Sequence, residues 1–327
     1  MRRDCSRIIA VCRWIVACVY AGAVLTVRAS VADELPLAQP SITCAVITSD
    51  GRTVIDGSQF GVRIRDWKNL AVEHTLTVAC RHVHDVALSR DETRLVVTGG
   101  NPGESAWVGM YSWPGRDLIW SHTFSDDVAY AASFSPSGTT LAVACHDHSV
   151  ALLAAETGNT KAVLKGHSRP VAAVAFLRDD TTLLSCGLDQ SLRVWDVDRG
   201  TIVRSLTNHT QSITCLAVQP SEGNTNPMVA TGSEDKTVRL WQPIIGRLVR
   251  FQRLPSPVTA LKWTSDGHTL VAGCQDGIIR VIRADTLDTI ERGATVATWV
   301  TAVAVHPTES TALIGDGNGN LTKMSIF

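Results

Sequence analysis

Two pairs of histidines stand close to an aspartate in this sequence: His82 and His84, then His146 and His148 on either side of Asp147. Imidazole nitrogens beside a carboxylate suit zinc or copper, so His82, His84, His146 and His148 are the candidate metal ligands, provided the fold brings them together. A second grouping has the residue types of an activated nucleophile. His167, Ser185 and Asp189 form one set, and His209, Thr231 and Asp235 the other. A hydroxyl, an imidazole and a carboxylate in reach of one another can perform acyl transfer. Here, however, the set occurs twice at matching spacing, each time with a tryptophan (Trp195, Trp241) six residues after the aspartate. Recurrence of that kind marks a structural unit. No G-x-S-x-G, H-E-x-x-H or phosphate-binding loop occurs in the chain, so the sequence expects no catalysis and no cofactor.

The remaining cysteine and charge patterns agree. Three of the nine cysteines fall within the first 32 residues, and the other six (Cys44, Cys80, Cys145, Cys186, Cys215, Cys274) show no C-x-x-C spacing. Five of these six lie at matching places in separate repeats, which suits a small buried hydrophobe better than a disulfide or metal ligand. Beyond residue 32 there are 25 basic against 30 acidic residues. A nucleic-acid partner needs the opposite balance.

Residues 1–32 have a different composition. Arg2, Arg3, Arg7 and Arg13 precede an uncharged apolar stretch from Trp14 to Val27, and Ser30 and Ala32 stand where a cleavage site before Asp33 would need small residues. That order reads as a secretory signal peptide, which places the protein outside the cytoplasm. The competing reading is an uncleaved anchor over residues 8–27, with Arg13 reaching back to the interface; the membrane would then be touched only through this segment. The chain therefore divides into an export or anchor segment, 1–32, and a single repeat domain, 33–327.

What must position the histidines and tetrad-like sets is a repeat. The stretch Leu184–Asp196 and the stretch Ala230–Gln242 are one pattern, with weaker copies around Asp147 and Asp276 and fainter ones around Gln59, Ser105 and Asn318. The seven turn positions are spaced 41 to 46 residues apart and fill the chain from Ser41 onward. Within each unit apolar residues alternate with period two, the strand signal, and turn residues separate four short runs. One four-stranded sheet cannot bury both its faces alone; stacking such sheets radially solves this. The fold class is all-β, a seven-bladed β-propeller of four-stranded antiparallel blades. The last unit stops after its third run, so residues 33–38 are expected to supply its fourth strand.

Lys165-Gly166-His167, Asp189 and Trp195-Asp196 resemble the marks of the WD-repeat (WD40) family. The resemblance covers residues 41–327, and is strong in two repeats and degenerate in three. It implies buried hydrogen-bonded tetrads: His167, Ser185, Asp189 and Trp195 in one repeat, His209, Thr231, Asp235 and Trp241 in the next. Val143 and Ala272 replace the hydroxyl elsewhere, and Leu153 and Ile282 the tryptophan, so those blades must rely on apolar packing. Arg63, Arg193, Arg239 and Arg280 recur at one strand position, where their stems are expected to cover the neighbouring strand.

The resemblance also implies a non-catalytic scaffold that binds a protein or peptide on the face carrying the Asp turns. Residues around the start of each inner strand, namely Thr43, His84, Tyr130, Arg169, Gln211, Thr259, Trp299 and Thr301, are expected at that mouth. Tyr130, Arg169 and Trp299 lead the binding set, with His84 and Gln211, because aromatic and arginine side chains dominate interface energetics. The inner runs are otherwise plain, with only Asp85 and Lys262 bringing formal charge. The alternative is a propeller enzyme or a metal or redox accessory that uses the histidine cluster on the same face.

Overall fold

A computed structural model describes residues 39–124, 127–220, 227–292 and 296–327. Among them are seven antiparallel sheets, six of four strands and one of three, each in simple sequential order. Blade 1 runs from Cys44 to Leu76, blade 2 from His82 to Phe124, blade 3 from Ala129 to Lys165 and blade 4 from Val171 to Leu206. Blades 5, 6 and 7 cover Ile213 to Arg253, Val258 to Arg292 and Val300 to Ser325. The all-β, seven-bladed propeller expected from the repeat is the fold observed.

Burial across each blade follows strand order. Second and third strands such as Thr140–Cys145 and Ser149–Ala154 are buried along almost their whole length, whereas the outer Thr201–Leu206 is exposed. The core is therefore a set of inter-blade layers. Among the described residues seven apolar clusters occur, and each joins two neighbouring blades. One of them packs Ile42, Val54 and Trp67 of the blade 1 side against Ala302, Ala304 and Leu313 of blade 7, so the ring is closed by packing. That seam is also polar. Ile42 N–H donates to Asp316 O (3.2 Å), Trp67 Nε1–H donates to Glu309 (3.2 Å), and Lys323 Nζ lies 4.1 Å from the Trp67 ring centre. The fourth strand expected for blade 7 from residues 33–38 lies outside the described residues, as does the segment 1–32.

The turn between the second and third strands explains why an aspartate persists even in degenerate blades. Asp147, Asp189, Asp235 and Asp276 each accept, through Oδ1, the backbone N–H two residues on, at 2.9 to 3.2 Å. The intervening residue has positive φ: His148, Gln190, Lys236 and Gly277 at 73°, 66°, 65° and 77°. An aspartate that bonds its own turn makes this left-handed step affordable for a non-glycine residue. In blade 2 the turn is displaced from its expected centre. Glu104 N–H closes onto Asn101 O, Gly103 takes the positive φ, and Ser105 already belongs to the third strand.

Inner strands share a second local feature. Their first buried residues, Ile42, Val83, Ala129, Val171, Ile213, Val258 and Val300, have no exposed surface. In blades 2 to 7 the pairing register slips just after this residue. Such a bulge turns one side chain out of the ladder. The bulged residues are His84, Tyr130, Ala172, Thr214, Thr259 and Thr301, with Thr43 at the same place in blade 1, and all seven but one carry a polar group.

Candidate functional site

Blades 4 and 5 each hold a bonded tetrad. Trp195 Nε1–H donates to Ser185 Oγ at 2.7 Å, Ser185 Oγ lies 2.6 Å from His167 Nε2, and His167 Nδ1 lies 2.9 Å from Asp189 Oδ2. The blade 5 chain runs from Trp241 through Thr231 (2.8 Å) and His209 (2.7 Å) to Asp235 (2.7 Å). One proton arrangement satisfies every member: the indole donates to the hydroxyl, the hydroxyl to Nε2, and Nδ1–H to the carboxylate. Burial alone would raise the pKa of Asp189. Hydrogen bonds from His167, Ser191 and the Ser168 amide, with the attraction of His167, overcome it and hold the carboxyl far below its ordinary 3.8. Asp235 is held down in the same way by His209, Thr237 and Thr210. The hydroxyls at Ser185 and Thr231 are fully buried and committed, so neither is presented to a substrate.

The corresponding place in blade 1 holds a different solution. Asp56 pairs in register with Ala45 and Arg63, as Ser185 pairs with Val174 and Arg193. Its carboxylate is fully buried and receives Arg63 Nε (3.1 Å) and Arg65 Nε (2.5 Å), Arg65 standing at the tryptophan position. In blade 6, Arg280 is 1% exposed and bonds Asp276 (2.8 Å) and Glu291 (3.0 Å). Arg193 and Arg239 also lean toward their tetrad carboxylates, at 3.5 and 3.7 Å. The repeated arginines thus serve carboxylates, and Arg239 also lies over the neighbouring strand as expected, 5.4 Å from the ring centre of Phe251.

The inner strands enclose a central channel of about 510 Å³. At its Asp-turn end the bulged residues form a ring, and the sequence-derived binding set divides into two tiers. His84, Tyr130, Thr43, Thr259 and Thr301 line the channel, while Arg169, Gln211 and Trp299 precede the strands on the exposed rim. Ala172 and Thr214 occupy the ring positions of blades 4 and 5, which the sequence reading assigned to Arg169 and Gln211. Aligning inner strands on their first buried residue would have found them. Trp299 is 52% exposed, with its ring close to Gly317.

Two ring threonines are structural ties. Thr43 Oγ1–H donates to Val83 O (2.6 Å) and Thr214 Oγ1–H to Val258 O (2.7 Å), each on the next blade. Two other ring groups, His84 Nε2 and Thr301 Oγ1, are buried without a hydrogen-bond partner among the described residues.

The histidines of blades 2 and 3 do not converge as a metal site. Tyr130 stands between His84 and His146, its ring 5.3 Å and 6.0 Å from theirs. His146 Nδ1 lies 3.2 Å from both the Tyr130 hydroxyl and the Asp127 carboxylate. Asp147 is turned to Ser149, and His148 holds the left-handed turn position. Among the described residues no three His, Cys, Asp or Glu side chains are grouped as a metal ion requires. Of the candidate ligands, His84 and His146 pack against Tyr130, while His82 and His148 make no contact with that ring that would bring the four together. Asp127, which the sequence reading passed over, is the acid beside His146. Burial and the neighbouring His82 hold His84 below its ordinary pKa, against the pull of Asp127, so its imidazole is neutral at neutral pH.

Fold and tetrads together define a seven-bladed propeller carrying WD40 repeats. Residues 118–152, 158–196 and 200–242 match the family described as WD domain, G-beta repeat, and residues 223–308 match the Anaphase-promoting complex subunit 4 WD40 domain. Each matched repeat begins on the outer strand of one blade and ends on the third strand of the next, as 158–196 does across Thr160–Lys165 and Leu192–Asp196.

Among curated relatives, the chain is 25% identical over 241 residues to the U3 small nucleolar RNA-associated protein 15 homolog of Gallus gallus, covering 73% of this chain and 44% of that protein. It is 27% identical over 201 residues to Protein groucho of Drosophila melanogaster (60% and 27%). To the guanine nucleotide-binding protein subunit beta of Zea mays it is 29% identical over 202 residues (54% and 52%). The chain spans about half the length, or less, of these relatives.

Proposed function

We propose that this chain is a non-catalytic scaffold that binds a protein or peptide partner on the Asp-turn face of the propeller, in an exported or envelope-associated setting. The observation that carries the reading is the rim. Trp299 is 52% exposed beside the channel mouth, with Arg169 and Gln211 also exposed and Tyr130 and His84 just inside. A large aromatic ring and a guanidinium held on a rigid scaffold are the usual anchors of a protein interface. Support also comes from the occupation of each Ser/Thr-His-Asp set by its own members. Two of the matched names, an anaphase-promoting complex subunit and a guanine nucleotide-binding protein subunit, denote parts of assemblies.

Replacing both Trp299 and Arg169 by alanine is expected to weaken capture of partners from the native cells, with the melting temperature unchanged. Undiminished capture would reject this face. The export reading is carried by Arg2, Arg3, Arg7 and Arg13, the apolar run Trp14 to Val27, and the small residues Ser30 and Ala32. N-terminal sequencing of the mature protein tests it: a chain starting at Asp33 supports cleavage, an intact membrane-bound chain supports the anchor, and an intact protein in the cytoplasm defeats both.

A further inference from the structure

The channel below the ring is lined by small and apolar side chains, so its two formal charges stand out. Among the described residues lining it, Asp85 on the inner strand of blade 2 is the one carboxylate and Lys262 on the inner strand of blade 6 the one ammonium. Lys262 is exposed within this space, while Asp85 is half-buried and anchored by Ala132 N–H at 3.1 Å. The anchor leaves the carboxylate with acceptor capacity to spare. The two charges feel one another, since Lys262 opposes the burial that pushes the Asp85 pKa up to about 6. Yet among the described residues no ion pair within 4.0 Å joins them. Opposite charges that face a common space without touching leave a gap that one molecule with both charges can bridge.

The room is made by alanines. Ala131, Ala172, Ala175 and Ala260 line the channel where larger residues would fill it, and the volume of about 510 Å³ exceeds what a few waters need. At the Asp-turn end, His84 Nε2 and Thr301 Oγ1, without a hydrogen-bond partner among the described residues, line the same space. Buried polar atoms without partners are unfavourable unless a ligand or water satisfies them.

We propose that the channel binds a small zwitterion, an amino acid or ω-amino acid, with its ammonium on Asp85 and its carboxylate on Lys262. A simple anion would leave Asp85 unanswered, and a simple amine would leave Lys262 unanswered. The zwitterion neutralises both and brings no net charge of its own. The two charges lie below the rim residues Arg169, Gln211 and Trp299, so binding to them does not require a partner docked on that rim.

Calorimetric titration of the purified protein with glycine, β-alanine, 4-aminobutyrate and 6-aminohexanoate tests the proposal and measures the span between the charges. One length is expected to bind best. The amine and the carboxylic acid of that same length should each bind about tenfold more weakly or worse. Asp85→Asn and Lys262→Met should each reduce affinity by at least about tenfold with the melting temperature retained. Three results would overturn the inference: no binding by any of the four at about 10 mM, binding of the amine or the acid as tight as that of the zwitterion, or full affinity in the Asp85→Asn, Lys262→Met double variant.

Discussion

Blades 3 and 4 are neighbours with the same strand order, yet they hold their centres together differently. In blade 4 the second-strand hydroxyl of Ser185 ties His167 to Trp195; in blade 3 the same places are Val143 and Leu153, both fully buried and apolar. Blade 1 adds a third chemistry, the buried Asp56 between two guanidiniums, and blade 6 a fourth, with Arg280 reaching out to two carboxylates. The backbone demands only that the space between blades be filled and every buried polar group be answered. Polar tetrad, ion cluster and plain hydrocarbon all meet that demand. They differ in what happens when one member is removed, because a stranded polar partner is penalised while a trimmed methyl group leaves only a void.

The comparison can be broken at its most charged point. Arg65→Met removes one of the two guanidiniums on a carboxylate with no exposed surface, and unfolding in urea should show a loss of about 3 kcal/mol. A loss below about 1 kcal/mol would mean that Arg63 alone suffices. Thr231→Val keeps volume but strands His209 Nε2 and the Trp241 indole N–H; we expect about 2–3 kcal/mol. The reverse exchange, Val143→Thr, places a hydroxyl in an apolar site and should cost about 1–2 kcal/mol. If it stabilised blade 3, the distinction between the two blades would fall.

Acid should separate the blades as well. His209 is kept below its ordinary 6.5 by burial, although Asp235 pulls it upward. Its folded form resists protonation, so this contribution is complete above pH 6.5 and declines as pH falls below that value. Asp189 and Asp235 are held far below 3.8, so their contribution is complete above that value and is lost only as pH falls further. Stability measured from pH 7 to pH 2 should therefore fall in two stages. The Thr231→Val, Asp235→Asn variant should show a smaller decline. The smallest effect belongs to the rim: Trp299→Ala should leave unfolding within about 0.5 kcal/mol of the parent, since its ring is half in solvent.

Much of the fold was legible because the repeat is spelled in strand alternation and in aspartate-centred turns, both local signals. The tetrad residues could be named for the same reason, as types at fixed offsets. The Asp56 cluster escaped because it occupies the tetrad register with different letters: an acid where the hydroxyl stands and arginines on the facing strand. Ser105 was misplaced because blade 2 has lengthened strands and a turn without the aspartate. The histidines looked like ligands because sequence gives no distances between blades, and it could not show that Tyr130 stands between His84 and His146. Rim and ring were merged because a bulge is invisible until strand register is known.

The junction of blades 1 and 7 joins residues from opposite ends of the described chain. Trp67 reaches Glu309 across 242 positions, and Gly51 O meets His306 Nε2 at 3.0 Å across 255. Confining a loop that long costs about 5 kcal/mol in chain entropy, so its contacts cannot form before the intervening blades have shortened the path. The circle therefore behaves as a bracelet whose clasp fastens last and loosens first. Amide hydrogens on either side of that clasp should exchange with heavy water sooner than those between blades 4 and 5, while the rest of the band stays intact.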